Sequence, residues 1–208
     1  MKARLASAKR VCGKMIKKGG IMKQNLITEE KVFDELKKAI IETLRVDEDA
    51  IKKESSLIRD LGAESLDFLD INYRLEQAFG IKMARHFVLE HVEEMFGEGS
   101  AIDEDGRLTE KAIVLLKERL GENLEGLSAG MDMDEIPSFV TAGSMAAGVM
   151  DVLDCLPEKC SHCGKSEWKS EDGVRIKCGS CGENAIFMNG DDLIKEWLTK
   201  VQEEKKIF

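Results

Sequence analysis

The chain of 208 residues has few aromatic residues, few histidines and no long apolar run. Aromatic side chains make up only 5% of it, so its core must be mostly aliphatic and methionine-rich, as helices readily provide. The absence of eighteen consecutive apolar residues argues against a membrane span. Acids are absent from residues 1–24, which leaves 40 acids against 23 bases in the rest of the chain. Such an acidic body repels nucleic acid and attracts basic protein surfaces.

Residues 1–24 form a basic N-terminal extension unlike the rest of the chain. Gly19-Gly20 stands shortly before Met22, and a ribosome-binding site that is translated in frame encodes such a Gly-Gly pair. We therefore hypothesise that Met22 is the true start. A transit peptide or a basic tail that touches nucleic acid or membrane is the alternative. No secretory hydrophobic segment occurs, so we expect a cytoplasmic protein.

Apolar residues at helical spacing predict an all-α region over residues 25–156. Thr28 caps a first helix that ends near Arg45, and a loop leads to a second helix from Ser65 to about Phe79. The predicted inward face of this second helix consists of Leu66, Leu69, Ile71, Leu75 and Phe79. Its predicted outward acids are Asp67, Asp70 and Glu76.

Further helices are predicted after residue 84. One covers Phe87 to Phe96 with His91 and Glu94 outside, and another begins after Thr109 and runs through Leu120. A last helix is expected from about Thr141 to Leu156, before Pro157.

The segment Asp60-Leu61-Gly62-Ala63-Glu64-Ser65-Leu66-Asp67 places a Ser hydroxyl where a Gly-containing loop enters a helix. A phosphate ester there would face free N–H groups and the positive end of the helix dipole. The three histidines, His86, His91 and His162, are all distant in sequence, so we expect another enzyme to modify Ser65. Read alone, a Ser in this setting is far more often a helix cap than a modified site.

From about Glu30 to Met83 the chain resembles the acyl carrier protein family. The likeness includes the first helix, the loop with Leu57 and Leu61, the Ser65 segment and the second helix. It implies a small helical bundle with a 4'-phosphopantetheine arm on Ser65, whose thiol carries acyl groups as thioesters. It also implies that basic partner enzymes dock beside the arm, on Glu64, Asp67, Asp70 and Glu76.

Two features depart from this family. Glu64 stands where an Asp usually precedes the Ser, which keeps the charge. In addition, residues 84–134 separate the second helix from the last one, as a helical insertion. We hypothesise that the insertion covers the acyl-chain cavity or selects a partner, and an inert surface decoration is an equal alternative.

Four of the six cysteines form two Cys-x-x-Cys pairs separated by fourteen residues. They are Cys160, Cys163, Cys178 and Cys181. This spacing predicts four thiolates around Zn²⁺, with a disulfide pair or a redox dithiol as the alternatives. The segment resembles the zinc-ribbon family, which implies a closed structural site with a hairpin at Asp172-Gly173.

Residues 157–208 are thus predicted to be a small β ribbon followed by a terminal helix. The expected strands are Val174–Ile176 and Ala185–Phe187, and the helix runs from about Asp191 to Glu204. The ribbon mixes acids with bases, which does not favour nucleic-acid binding.

The sequence therefore predicts a non-catalytic acyl carrier protein in fatty acid, related lipid or polyketide biosynthesis. Its expected partners are a phosphopantetheinyl transferase and acyl-transferring or ketosynthase-type enzymes with basic surfaces. The alternatives are an unmodified interaction adaptor and a zinc-ribbon nucleic-acid binder, the latter disfavoured by the acidic balance.

Overall fold

The computed structural model describes residues 21–121 and 124–208, and the predictions made for residues 1–20 lie outside them. The described chain is mainly helical with two small antiparallel sheets. Its α-helices are α1 (Glu29–Leu44), α2 (Ser65–Phe79), α3 (Val88–Phe96), α4 (Glu110–Leu120), α5 (Ala142–Leu153) and α6 (Gly190–Lys205). Its strands are β1 (Ile21–Met22), β2 (Leu156–Pro157), β3 (Trp168–Lys169) and β4 (Lys177–Cys178). Short 3₁₀ segments cover Glu48–Ala50 and Met133–Phe139.

Helix α1 begins and ends as the sequence predicts. The Thr28 hydroxyl accepts a hydrogen bond from the backbone N–H of Lys31, and Arg45 ends the helix in a left-handed conformation. The helix buries an apolar face against both α2 and α5, which makes these three helices the centre of the carrier-like region. Among the fully buried side chains there are Leu36, Ile40 and Phe79.

The bounds predicted for α2 are confirmed, but part of its predicted inward face is wrong. Ile71, Leu75 and Phe79 are buried, whereas Leu66 and Leu69 are 77% and 50% exposed. At about 100° per residue, Leu69 lies about 200° around the helix from Ile71, on the opposite side.

The prediction that Glu76 points outward is also wrong, because it is only 3% exposed. Its carboxylate accepts hydrogen bonds from the Arg85 guanidinium and from the backbone N–H of Met83. Glu76 lies only about 60° from Phe79 around α2, so the chain that follows the helix covers it.

Between α2 and α5, the insertion folds as α3, a tight turn at Asp105-Gly106 and α4. The expected bounds of α4 are confirmed, and Thr109 caps it through a hydrogen bond from Ala112. The prediction that His91 lies outside is wrong, since α6 packs on α3 and leaves this side chain 3% exposed.

The C-terminal region differs from its predicted strands. Helix α5 ends at Leu153, so Leu156 and Pro157 instead form β2, which pairs antiparallel with β1. The ribbon strands are β3 and β4, with Trp168 opposite Cys178, rather than the two apolar triplets predicted. The turn between them includes Gly173, whose φ of +69° explains the glycine in the predicted hairpin. Within the described ranges, no helix combines the length and apolarity that crossing a membrane requires.

Candidate functional site

Ser65 occupies the first residue of α2 and is exposed to solvent. Within the described part of the chain, its hydroxyl has no hydrogen-bond partner. The site therefore offers an accessible oxygen at a helix N-terminus.

Buried side chains and backbone hydrogen bonds hold the loop before Ser65 in place. Leu57 and Leu61 are 0% and 7% exposed, and the backbone N–H of Leu57 donates to the carbonyl of Val140. The carbonyl of Leu57 in turn accepts from the backbone N–H of Ala63. Gly62 completes the turn with a φ of +73°. These contacts fix the position of Ser65 against the segment that leads into α5.

The acids near Ser65 differ in whether their carboxylates are already paired with other groups. Glu64 is exposed, and Asp67 accepts a hydrogen bond from the backbone N–H of Glu64, at 2.8 Å, which caps α2. The Asp70 carboxylate accepts from the Arg74 guanidinium and from the Thr43 hydroxyl, and both hold the pKa of Asp70 below its ordinary value.

An exposed apolar stripe beside these acids was missed at the sequence level. Leu66, Leu69 and Tyr73 are 77%, 50% and 56% exposed and follow one another at spacings of three and four residues along α2. Counting the angle of each residue around the helix would have separated this stripe from the buried one.

The segment around Ser65 lies within a region that matches a known protein family. A family model described as a phosphopantetheine attachment site matches residues 34–93, which include Ser65 and all of α2. Over 52 residues, the chain is 46% identical to an acyl carrier protein of Campylobacter lari, and the alignment covers 25% of this chain and 68% of that relative. The chain belongs to the acyl carrier protein family.

Longer carrier proteins are similar over the same stretch. The chain is 51% identical over 51 residues to acyl carrier protein AcpXL of Brucella melitensis, with 24% of this chain and 55% of the relative covered. It is 49% identical over 51 residues to AcpXL of Rhizobium meliloti, with 24% and 54% covered. The chain thus spans little more than half the length of these two relatives. A comparison with solved structures found no match.

The structure brings the four predicted metal-ligating cysteines together. The sulfurs of Cys160 and Cys181 lie 3.7 Å apart and those of Cys163 and Cys178 lie 3.5 Å apart. All four sulfurs are within 4.8 Å of one another, and none is in a disulfide. Tetrahedral Zn²⁺ with Zn–S bonds of about 2.3 Å requires sulfurs about 3.8 Å apart, so the donor set fits this metal.

The two Cys-x-x-Cys turns are built alike, with Gly164 and Gly182 at φ angles of +71° and +80°. Each glycine N–H donates to the carbonyl of the first cysteine of its pair. The backbone N–H of Cys181 lowers the pKa of the Cys178 thiol to about 7.

The fourth sulfur behaves differently from Cys178. The backbone N–H of Glu183 lowers the pKa of Cys181. Desolvation and the neighbouring sulfurs outweigh this effect and raise the pKa to about 12. The thiols of Cys178 and Cys181 thus differ in pKa, although their sulfurs belong to one cluster.

The ribbon also contacts the carrier helices directly. The Arg175 guanidinium donates to the carbonyl oxygens of Gln77 and Ala78 at the end of α2. A cation at a helix C-terminus satisfies carbonyls that lack an intrahelical partner and complements the helix dipole. The ribbon therefore caps the end of α2, while Ser65 lies at its beginning.

Proposed function

We propose that this protein carries acyl groups as thioesters on a 4'-phosphopantetheine arm attached to Ser65. The observation that carries the proposal is the position of Ser65, which is exposed at the first residue of α2 inside the segment matched by the attachment-site family. A phosphodiester at this oxygen would lie against the positive end of the helix dipole, so no basic side chain is needed to stabilise it.

The work of such a carrier is mobility rather than catalysis. The arm presents one bound thioester to several enzymes in turn at a high effective concentration. We place this activity in fatty acid, related lipid or polyketide biosynthesis, where intermediates remain attached to a carrier between steps.

Partner enzymes would dock on the exposed stripe of Leu66, Leu69 and Tyr73. Glu64 and Asp67 lie at its Ser65 end and would attract the basic surface of a phosphopantetheinyl transferase or an acyl-transferring enzyme. Asp70 contributes less to the attraction because Arg74 already neutralises it. We no longer expect partners to dock on Glu76, because its side chain is buried.

The decisive test is intact mass after incubation with coenzyme A and a phosphopantetheinyl transferase. The wild type and Ser128→Ala, a matched change at another exposed serine, should each gain one phosphopantetheine. Ser65→Ala should gain none. If the wild type stays unmodified with native-source transferases, Ser65 is not an attachment site. An unmodified interaction adaptor would then be the favoured function.

We further propose that Cys160, Cys163, Cys178 and Cys181 hold a structural Zn²⁺. Four cysteine ligands leave no open position on a tetrahedral ion, so the metal would stabilise the ribbon rather than activate a substrate. Cysteines that ligate zinc rather than form disulfides are typical of a reducing compartment, so we also propose a cytoplasmic location.

For residues 84–134 we keep the proposal that this insertion selects a partner. Two exposed apolar side chains support it, Phe87 at 41% and Val114 at 51% exposure. Replacing both by Ser should change which acyl-transferring enzymes use the loaded carrier efficiently. Unchanged rates with every enzyme would favour an inert decoration.

A further inference from the structure

Two of the three histidines converge on one carboxylate far from Ser65 and from the cysteines. The Nε2 atom of His91 lies 3.0 Å from Oδ1 of Asp191, and Nδ1 of His86 lies 3.6 Å from the same oxygen. Asp191 is about a hundred residues away in sequence, in the first turn of α6. Packing of α6 on α3 therefore creates this group, which no sequence motif marks.

The separations suit shared coordination of one ion. One ligand atom from each residue lies within 4.8 Å of the other two. Ligands about 2.0–2.2 Å from a divalent first-row metal lie about 3–3.5 Å apart, which these side chains reach with small rotations. Two imidazoles and one carboxylate are a donor set that Zn²⁺ and its neighbours in the series accept.

The surroundings of His91 support the same use. Its ring is buried, and its Nδ1 atom lies 3.6 Å from the Glu94 carboxylate, which Lys195 holds by a hydrogen bond of 2.8 Å. A metal-binding histidine commonly has a carboxylate beside its other ring nitrogen, as Glu94 lies here, while its first nitrogen binds the ion. In His91 that first nitrogen is Nε2, which faces Asp191.

The backbone fixes the position of the Asp191 carboxylate. It accepts hydrogen bonds from the backbone N–H groups of Arg85 and His86, which lie at the start of the insertion. The Arg85 guanidinium is engaged by Glu76, so its charge is partly neutralised. The His86 side chain is 60% exposed, which leaves the group open to solvent on one side.

We propose that His86, His91 and Asp191 form a second metal site, which binds a divalent first-row transition metal such as Zn²⁺ with water in the remaining position. The ion would join the start of the insertion to the terminal helix, and so hold α3 against α6. This site depends neither on the arm of Ser65 nor on the cysteine ribbon.

The test is calorimetric titration with Zn²⁺ of the full chain whose ribbon already holds one zinc ion. The wild type should bind one further Zn²⁺. His86→Ala, at an exposed side chain, and His91→Gln should each weaken this binding at least about 100-fold, and Glu94→Gln about 10-fold. His162→Ala is the matched control at the exposed third histidine, and both it and Ser65→Ala should bind the second ion like the wild type.

Co²⁺ separates the two sites by spectroscopy. A first equivalent in the cysteines gives intense sulfur-to-metal charge-transfer bands, and a second equivalent at His86, His91 and Asp191 should add weaker bands without them. The proposal is overturned if the wild type binds one metal ion in total, that is, only the ion in the cysteines. It is equally overturned if His86→Ala and His91→Gln, shown by circular dichroism to be folded, keep the second site.

Discussion

The carrier helices and the cysteine ribbon are stabilised by different means. Helices α1, α2 and α5 bury continuous apolar faces, including Leu36, Ile40 and Phe79. Most of residues 158–187 are exposed, and the few fully buried side chains there include Cys160 and Cys178 themselves. A segment this short cannot fold on apolar burial, so the proposed metal ligation would stabilise it, whereas the helices depend on packing. If the proposal holds, one chain uses two independent sources of stability, joined at a small contact.

The largest expected effect comes from removing the metal proposed for the ribbon. Cys178→Ser should abolish zinc binding there, at a loss of about 10 kcal/mol of metal-binding free energy, and unfold residues 158–187. Hydrogen exchange should show lost protection in the ribbon while α1 and α2 keep theirs, and phosphopantetheine loading should persist. Cys155→Ala, a buried thiol outside the cluster, should keep the metal. Equal ribbon protection in Cys178→Ser would contradict the role of ligation.

A second prediction concerns the junction between α6 and the carrier region. A Cβ atom on Gly190 would lie 2.2 Å from the backbone nitrogen of Ala84, so Gly190→Ala should cost about 3 kcal/mol of unfolding free energy. In α5, Gly148→Ala is the matched control, because its Cβ would come no closer than 3.8 Å to Met83. That change should be neutral or stabilise by up to about 1 kcal/mol. Urea denaturation measures the unfolding free energies of both variants. A Gly190→Ala variant that unfolds at the same urea concentration as the wild type would contradict this packing.

Within the carrier helices, the buried and exposed acids of α2 should respond differently. Glu76→Gln leaves Arg85 without its buried partner and should cost about 2 kcal/mol in urea denaturation.

Asp70→Asn is the control on the exposed side of α2 and should change stability little at neutral pH. Because Arg74 and Thr43 lower the pKa of Asp70, its small contribution exists above the unfolded-state pKa and disappears as the pH falls through the folded-state value. Equal losses for Glu76→Gln and Asp70→Asn would contradict the burial difference.

The smallest effect on stability is expected at the docking stripe. Leu66→Ala should leave the unfolding free energy unchanged, since this side chain is 77% exposed, yet lower kcat/KM for a transferase about 10-fold. Ile186→Ala, at a 67% exposed side chain of the ribbon, is the matched control and should leave the rate unchanged. If both variants load equally fast, the stripe on α2 is not the docking surface.

The local features were predictable because they depend on neighbours in sequence. Thr28 and Thr109 cap helices where the sequence places them, since a cap needs only the backbone N–H groups of the next turn. The four cysteines meet because two short turns at fixed spacing suffice to form the cluster. The start of α2 at Ser65 follows likewise from the Gly62 turn and the Asp67 cap.

The errors occurred where burial depends on distant elements. Glu76 and His91 look like exposed polar residues in their own helices, but the chain after α2 covers one and α6 covers the other. The strands of the ribbon follow the cysteines rather than the apolar triplets, because the two cysteine turns determine which backbone groups pair. Leu66 and Leu69 are a different case, since their angular position on α2 could have been counted from the sequence.

By itself, the sequence determined the order of helices, their caps, the position of Ser65 in a segment that resembles the carrier family, and the cysteine spacing. These features rest on contacts within a few residues or on a short motif. Only the tertiary structure decided that the ribbon caps α2 through Arg175 and that His86 and His91 meet Asp191. Those contacts join segments up to about a hundred residues apart, and their formation depends on the packing of whole helices, which no local pattern encodes.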